Sequence, residues 1–588
     1  MRSHFYLLDM MALRVSPPLF FGLCQSDFDD LTKTTIDQRE TPKGCTVMRH
    51  AVLRQFTLAC SFLLLAAAIK SDFVNMAAPH QSPCVIQNSG GQPVTNNNDP
   101  LAKFLSAAGP CPTNVFEFRS RLTSGGAKLR PTLVANRGFH NQKNPSGAMH
   151  FMVFEIVSGR LGAFGLEIND GEFFFGHFTA TDGTTLAADQ RPSRDSLMVE
   201  LIAWDDAKEV FNFYELIGDG KRGQWFYRGD SVDIQNDVRL LHRQANPNAP
   251  QFGGRLRCSG CHIAGGPIMK ELAAPHNDWW ASGRPLPFGS LKPDARLAPI
   301  LKGMVDADEL AVSVRAGLGK LAESAKFRQA KKALSLPERL RPLFCPVELN
   351  LESDPTPLDD KAAQINIPAA FFINPLLAQK PIAINRAHYD AALAALKASF
   401  PEASPKRPDA DHGWLTPVKA FSDMLAVEAL VKDGLIDREF VIDVLAVDLT
   451  NPVFSTARCG LLRLLPESAD GDWQKTFRDS LQAAASGNPA ARELLNNFTD
   501  PQRDAKFHQA RAERFLSQCQ SRLQSKDAVI ELVRLLAQRR QEASDSEISK
   551  NRRGQILEPG FRVIFPTTTP PIRSGGFRLA EDGLIIRQ

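Results

Sequence analysis

The chain has 588 residues, 43% of them hydrophobic and 23% charged, with a formal net charge of +4. That length allows two or three domains with real cores, and so small a net charge with no basic tract argues against nucleic-acid binding. The aromatic content is 38 Phe against 4 Tyr and 6 Trp, mostly the kind that fills cores.

Residues 1–47 carry a scattered mixture with no periodicity and read as an upstream extension ahead of a true initiator at Met48. From Met48, Arg49, His50 and Arg54 form a positive n-region, Phe56 to Ile69 an apolar stretch, and Ala66-Ala67-Ala68 a small-residue cleavage site. Residues 48–68 are therefore expected to be a signal peptide and the product periplasmic or otherwise exported. The apolar stretch is shorter than the roughly 20 residues of a membrane span, so no stable span is expected after cleavage. Cleavage after Ala68 leaves Cys84, Cys111, Cys258, Cys261, Cys345, Cys459 and Cys519. In an oxidising compartment Cys84 and Cys111 are a plausible local disulfide; among Cys345, Cys459 and Cys519 the sequence does not choose.

Residues 79–130 read as an irregular segment, marked by Gly90-Gly91, Asn96-Asn97-Asn98-Asp99-Pro100 and Gly125-Gly126, that wraps a domain surface. An antiparallel β domain follows over 131–248. Its predicted strands are His150 to Ser158, Ala163 to Ile168, Glu172 to Ala180, Ser196 to Asp205, Val210 to Gly218 and Gln224 to Gly229. The period of two puts Phe173, Phe175 and His177 on one face, and the pattern suggests a meander or small barrel. Asp230, Asp233 and Asp237 lack the spacing of a calcium loop and read as a solvated turn.

The pentapeptide Cys258-Ser259-Gly260-Cys261-His262 carries the chemistry. Two cysteines two residues apart, followed at once by histidine, are the attachment signature of c-type haem. Each thiol adds to one porphyrin vinyl, and the adjacent imidazole becomes the proximal iron ligand. At this composition the pentapeptide arises by chance in roughly one such chain in a few hundred. A dithiol redox pair or half of a zinc site are the alternatives, although no second Cys-x-x-Cys and no His-x3-5-His accompanies it. Gly265-Gly266-Pro267 is expected to stop the motif helix, Trp279 and Trp280 to shield the haem, and Arg255, Arg257 and Arg284 are the nearest cations for its propionates.

The second axial position decides between electron transfer and catalysis. Met304 is the first choice for a distal iron ligand, with a buried core methionine as the bland alternative; His276, Met424, His412 or no protein ligand follow, and Met269 stands too close to His262. Amphipathic spacing predicts helices over 308–334, 387–399 and 417–433, the last opened by Thr416 as N-cap and Pro417 as first helical residue. Ile436 to Leu449, Trp473 to Leu481 and Ala505 to Arg540 extend a mainly helical C-terminal domain, 346–588, before a strand-like tail from Phe561 that is expected to return to the β region.

Residues 255 to about 344, within a haem domain over 249–345, resemble a c-type cytochrome domain. Cys258 and Cys261 stand at that family's thioether positions and His262 at its proximal ligand. The resemblance covers less than a fifth of the chain. It implies a helical haem domain with one covalent haem c, iron, and electron exchange with a redox partner protein. The fold class expected is thus α+β multidomain: a Phe-rich antiparallel β domain, a cytochrome c-like haem domain and a helical C-terminal domain. A haem-dependent oxidoreductase, peroxidase- or oxygenase-like with an open distal site, is the alternative. A third reading is an assembly factor whose haem is a sensor.

Overall fold

The structure is a computed structural model and describes residues 83–88, 90–107, 109–135, 150–157, 159–161, 165–178, 199–218, 223–236, 258, 262, 264–267, 305, 307–347, 349–352, 361–397, 416–552 and 576–587. The fold is mixed α+β. The Phe-rich stretch forms β2 (Leu129–Ala135), β3 (His150–Ile156), β6 (Phe173–Phe178), β7 (Val199–Asp205), β8 (Val210–Gly218) and β9 (Gly223–Asp230), with a small ribbon of β4 (Gly159–Leu161) and β5 (Leu166–Ile168). With β1 (Ile86–Gln87) they give a seven-stranded sheet in the order β1-β9-β8-β7-β6-β3-β2.

Two expectations are corrected here. Antiparallel pairing runs from β2 to β9, but β1 pairs with β9 in parallel, so the sheet is mixed, and its linear order leaves β1 and β2 as edges where a barrel has none. The segment 79–130 is not irregular: it holds β1, helix α1 (Pro100–Ala107) and helix α2 (Val115–Ser124). The turn signals seen in the sequence sit between these short elements. Asn114 caps α2 by accepting from the Glu117 N–H, and Asp99 accepts from the N–H groups of Leu101 and Ala102 to start α1.

Both helices cover one sheet face. Leu101, Phe104, Phe118 and Leu122 pack with Phe173, Phe175, Tyr214 and Trp225 in a shared core. Under them, Asp99 accepts from Tyr214 and from Asn212 Nδ2 (2.7 Å), while Asn97 Nδ2 donates to the Tyr214 hydroxyl (2.7 Å). These buried groups satisfy one another, and they fix the segment leading into α1 on β8. The disulfide Cys84–Cys111 ties the two ends of the same segment together.

The other face receives helix α3 (Ala307–Glu323). Close approach explains Gly317 in it: a Cβ on Gly317 would stand 2.5 Å from the Gly171 carbonyl oxygen, and one on Gly171 2.4 Å from that of Ser313. Beside this contact Arg130 Nε donates to Glu155 (2.9 Å) and Arg130 also to Ser313 Oγ (2.6 Å), and Lys320 pairs with Glu172. Ser324 accepts from the Phe327 N–H and starts a new helix, so the single helix expected over 308–334 is two: α3 and α4 (Ala325–Lys332). Helix α5 (Leu336–Phe344) follows through a capping box of Ser335 and Glu338.

The C-terminal half is mainly helical, as expected, but not all-helical. Helices α6 (Arg386–Leu396), α7 (Phe421–Lys432), α8 (Arg438–Ala446), α9 (Trp473–Ala484), α10 (Pro489–Thr499), α11 (Ala505–Arg522) and α12 (Lys526–Arg552) share one large core with α5. Strand pairs β10 (Leu349–Glu352) with β13 (Thr416–Lys419), and β11 (Gln364–Ile367) with β12 (Ile382–Asn385), lie between them.

Thr416 and Pro417 are therefore strand residues, not a helix opening. The residue before a proline is pushed to extended backbone, and pairing with β10 continues that conformation until Ala420 caps α7. The predicted 505–540 helix breaks between Arg522 and Lys526. The chain's last strands, β14 (Phe577–Leu579) and β15 (Ile585–Arg587), pair with each other and bury Phe577 and Leu579 in the helical core, so the tail does not return to the large sheet.

A second disulfide, Cys345–Cys459, joins the end of α5 to the helical turn Thr456–Gly460. Cys519 is buried, and burial pushes its thiol up to about 12. Among the described residues no helix is long and apolar enough to cross a membrane.

Candidate functional site

Of the motif, Cys258 and His262 are described, and His262 with Gly265, Gly266 and Pro267 after it packs between the sheet and α3. The His262 N–H donates to the Cys258 carbonyl (2.9 Å), which ties the two residues together. The Gly265 N–H donates to the His262 carbonyl (2.8 Å), and Gly265 takes the left-handed conformation at φ +78°. The turn thus ends where Gly265-Gly266-Pro267 marks a stop. Gly265 also lies too close to its neighbours for a side chain, since a Cβ there would be 2.8 Å from the Ser231 carbonyl oxygen.

Reversal at Gly265 brings the Gly266 carbonyl back under the imidazole, 2.7 Å from His262 Nδ1. A carbonyl only accepts, so Nδ1 carries the proton and Nε2 keeps its lone pair. Phe213 of β8 meets the imidazole edge-on, with ring centroids 5.0 Å apart. Leu318 and Leu321 of α3 and Phe327 of α4 close the loop's other sides. Loss of water around the ring pushes His262 down to about 4, although part of its surface still reaches solvent, and the Gly266 bond opposes that fall. The imidazole is neutral at physiological pH, with one nitrogen satisfied and the other available as a metal ligand.

The imidazole of His262 is held in tautomer and orientation from behind by a backbone carbonyl, as metal-ligating histidines usually are, and Cys258, four residues before it, is buried. Among the described residues no group of three or more His, Cys, Asp or Glu side chains is arranged to hold a metal ion alone. Cys261, Met304, Met269, His276, His412, Trp279, Trp280, Arg255, Arg257 and Arg284 lie outside the described residues, as do the signal peptide and the extension before it. Met424 is described and is exposed on α7. The backbone of His177 lies in β6, paired with Met152 and Val199. Asp230 is a cap: its carboxylate accepts from the N–H groups of Val232 and Asp233.

Sequence reasoning missed the residues that enclose the loop. Phe213 was legible only as one of many strand phenylalanines, and Leu318 and Leu321 only as the apolar stripe of a helix. It also missed a cavity of about 130 Å³ bounded by Ala264, two residues beyond His262, and by side chains of α4, α5 and α7. No protein family, no curated protein and no solved structure matches this chain.

Proposed function

We propose that this protein is an exported monohaem c-type cytochrome that passes electrons between a redox partner protein and an acceptor through one covalent haem c. The carrying observation is the 2.7 Å contact of His262 Nδ1 with the Gly266 carbonyl, inside a Cys-x-x-Cys-His sequence. In this reading Cys258 and Cys261 would carry the haem through thioethers, and His262 and Met304 would hold its iron. The bound iron supplies one-electron redox chemistry.

The protein's own part is to orient and to dry the site. The Gly266 carbonyl holds the imidazole in one tautomer and raises its basicity, Phe213 covers one side of the ring, and Leu318, Leu321 and Phe327 pack around Gly265 and Gly266 behind it. Two disulfides, Cys84–Cys111 and Cys345–Cys459, support an oxidising compartment, which is also where haem c would be attached. The second reading is a haem-dependent oxidoreductase of peroxidase or oxygenase type with an open distal site.

The test is a pyridine haemochrome and resonance Raman study of the purified chain, oxidised and reduced, with and without carbon monoxide. Electron transfer predicts a covalent, six-coordinate, low-spin haem that ignores carbon monoxide and becomes high-spin in Met304→Ala. Ready carbonylation points to the oxidoreductase, and absence of covalent haem overturns both.

A further inference from the structure

The cavity beside Ala264 has a chemistry of its own. Helices α4 and α5 turn five cations toward it, Arg328, Lys331, Lys332, Arg339 and Arg341, against three carboxylates, Glu338, Asp423 and Asp433. The carboxylates are already engaged: Asp433 pairs with Arg328, Glu338 accepts from the Ser335 N–H (3.0 Å) and hydroxyl (2.9 Å), and Asp423 accepts from the Val347 N–H (2.8 Å). The cations are not balanced in the same way. Among the described residues, Lys331, Arg339 and Arg341 have no ion pair or hydrogen bond to their charged heads; Lys331 rests over the Phe327 ring and Arg341 Nε is buried without a partner. Burial depresses all three, Lys331 to about 8, while the nearby charges of Asp423, Asp433 and Glu338 oppose the fall at Lys331, Arg339 and Arg341 respectively. Partly desolvated cations whose heads lack hydrogen-bond acceptors, the buried Arg341 Nε above all, are costly, and an anion filling the cavity would supply those acceptors.

We propose that this cavity binds an oxyanion group, a carboxylate or a phosphate, through Lys331, Arg339 and Arg341. Two sources share that chemistry. One is a small free oxyanion admitted beside the motif loop; the other is a propionate of the haem itself, which alone rests on the functional reading above. Fork-shaped guanidinium groups suit either, since both present paired oxygens.

The experiment is calorimetric titration of the purified full chain with inorganic phosphate at constant ionic strength, for the wild type, Arg339→Gln, Arg341→Gln and Lys331→Met, together with the propionate bending band in resonance Raman and the haem midpoint potential. Three variants are used so that one folding failure does not end the test. A free oxyanion predicts saturable phosphate binding that weakens at least tenfold in the variants. A propionate predicts no phosphate binding by the haem-loaded protein, but a displaced propionate band and a shifted potential in the arginine variants. Phosphate bound equally by all variants overturns the proposal, as does absence of both phosphate binding and band shifts. A chain that carries no covalent haem yet binds phosphate through these residues sinks the cytochrome reading and leaves the anion site standing.

Discussion

Replacing Gly265 by alanine tests whether the motif loop is held as described. The new side chain meets two costs. Left-handed backbone at φ +78° costs an L-residue about 1–2 kcal/mol relative to glycine. A Cβ at this position would also stand 2.8 Å from the Ser231 carbonyl oxygen and 3.3 Å from the Phe327 ring, and the first is backbone that cannot swing aside. Overpacking of that kind adds about 1–3 kcal/mol, so Gly265→Ala is expected to lose about 2–5 kcal/mol. Gly266→Ala is the control. Its Cβ would meet the Leu318 and Leu321 methyls at 2.8 and 3.1 Å, both tips of flexible side chains, and its backbone is not left-handed. About 1 kcal/mol is expected there. The assay is urea unfolding of the two variants and the wild type, read by far-UV circular dichroism and tryptophan fluorescence. Equal losses in the two variants, or a Gly265→Ala midpoint indistinguishable from wild type, would refute the reasoning.

Removing the disulfide Cys345–Cys459 by double serine replacement should cost about 5 kcal/mol on the loop-entropy scale, against about 4 for Cys84–Cys111, because the loops span 114 and 27 residues; thermal unfolding of both double variants checks the order. Lys419→Met should destabilise by about 2–4 kcal/mol, since the ammonium donates to the carbonyls of Pro342, Leu343 (2.9 Å) and Cys345 (3.4 Å) at the end of α5; the urea midpoint of the helical domain reads it. The Cys519 thiol should resist Ellman's reagent at pH 8 in the native protein and react once unfolded. Its thiol is raised to about 12, so the stability it contributes is present below its unfolded pKa near 9 and is lost as pH rises from there through 12; a rapid native reaction at pH 8 would contradict its burial.

The sequence alone determined the local features. The period of two in the Phe-rich stretch placed β3 and β6 to β9 within a few residues, because strand alternation is written in consecutive side chains. The Gly265-Gly266-Pro267 stop was legible for the same reason: left-handed backbone is a short-range requirement. Tertiary structure decided what distant segments do to one another. Thr416-Pro417 looks like a helix start in isolation and becomes a strand because Leu349–Glu352 lies alongside. Cys345 chose Cys459, and Cys519 stayed buried, because chain packing sets which sulfurs meet. The tail joined the helical core because Phe577 and Leu579 found apolar cover there. The cation cavity has no sequence signature, since charged residues at helical spacing ordinarily face water. Only the meeting of α4, α5, α7 and the motif loop turned Lys331, Arg339 and Arg341 inward, where loss of water makes their charge consequential.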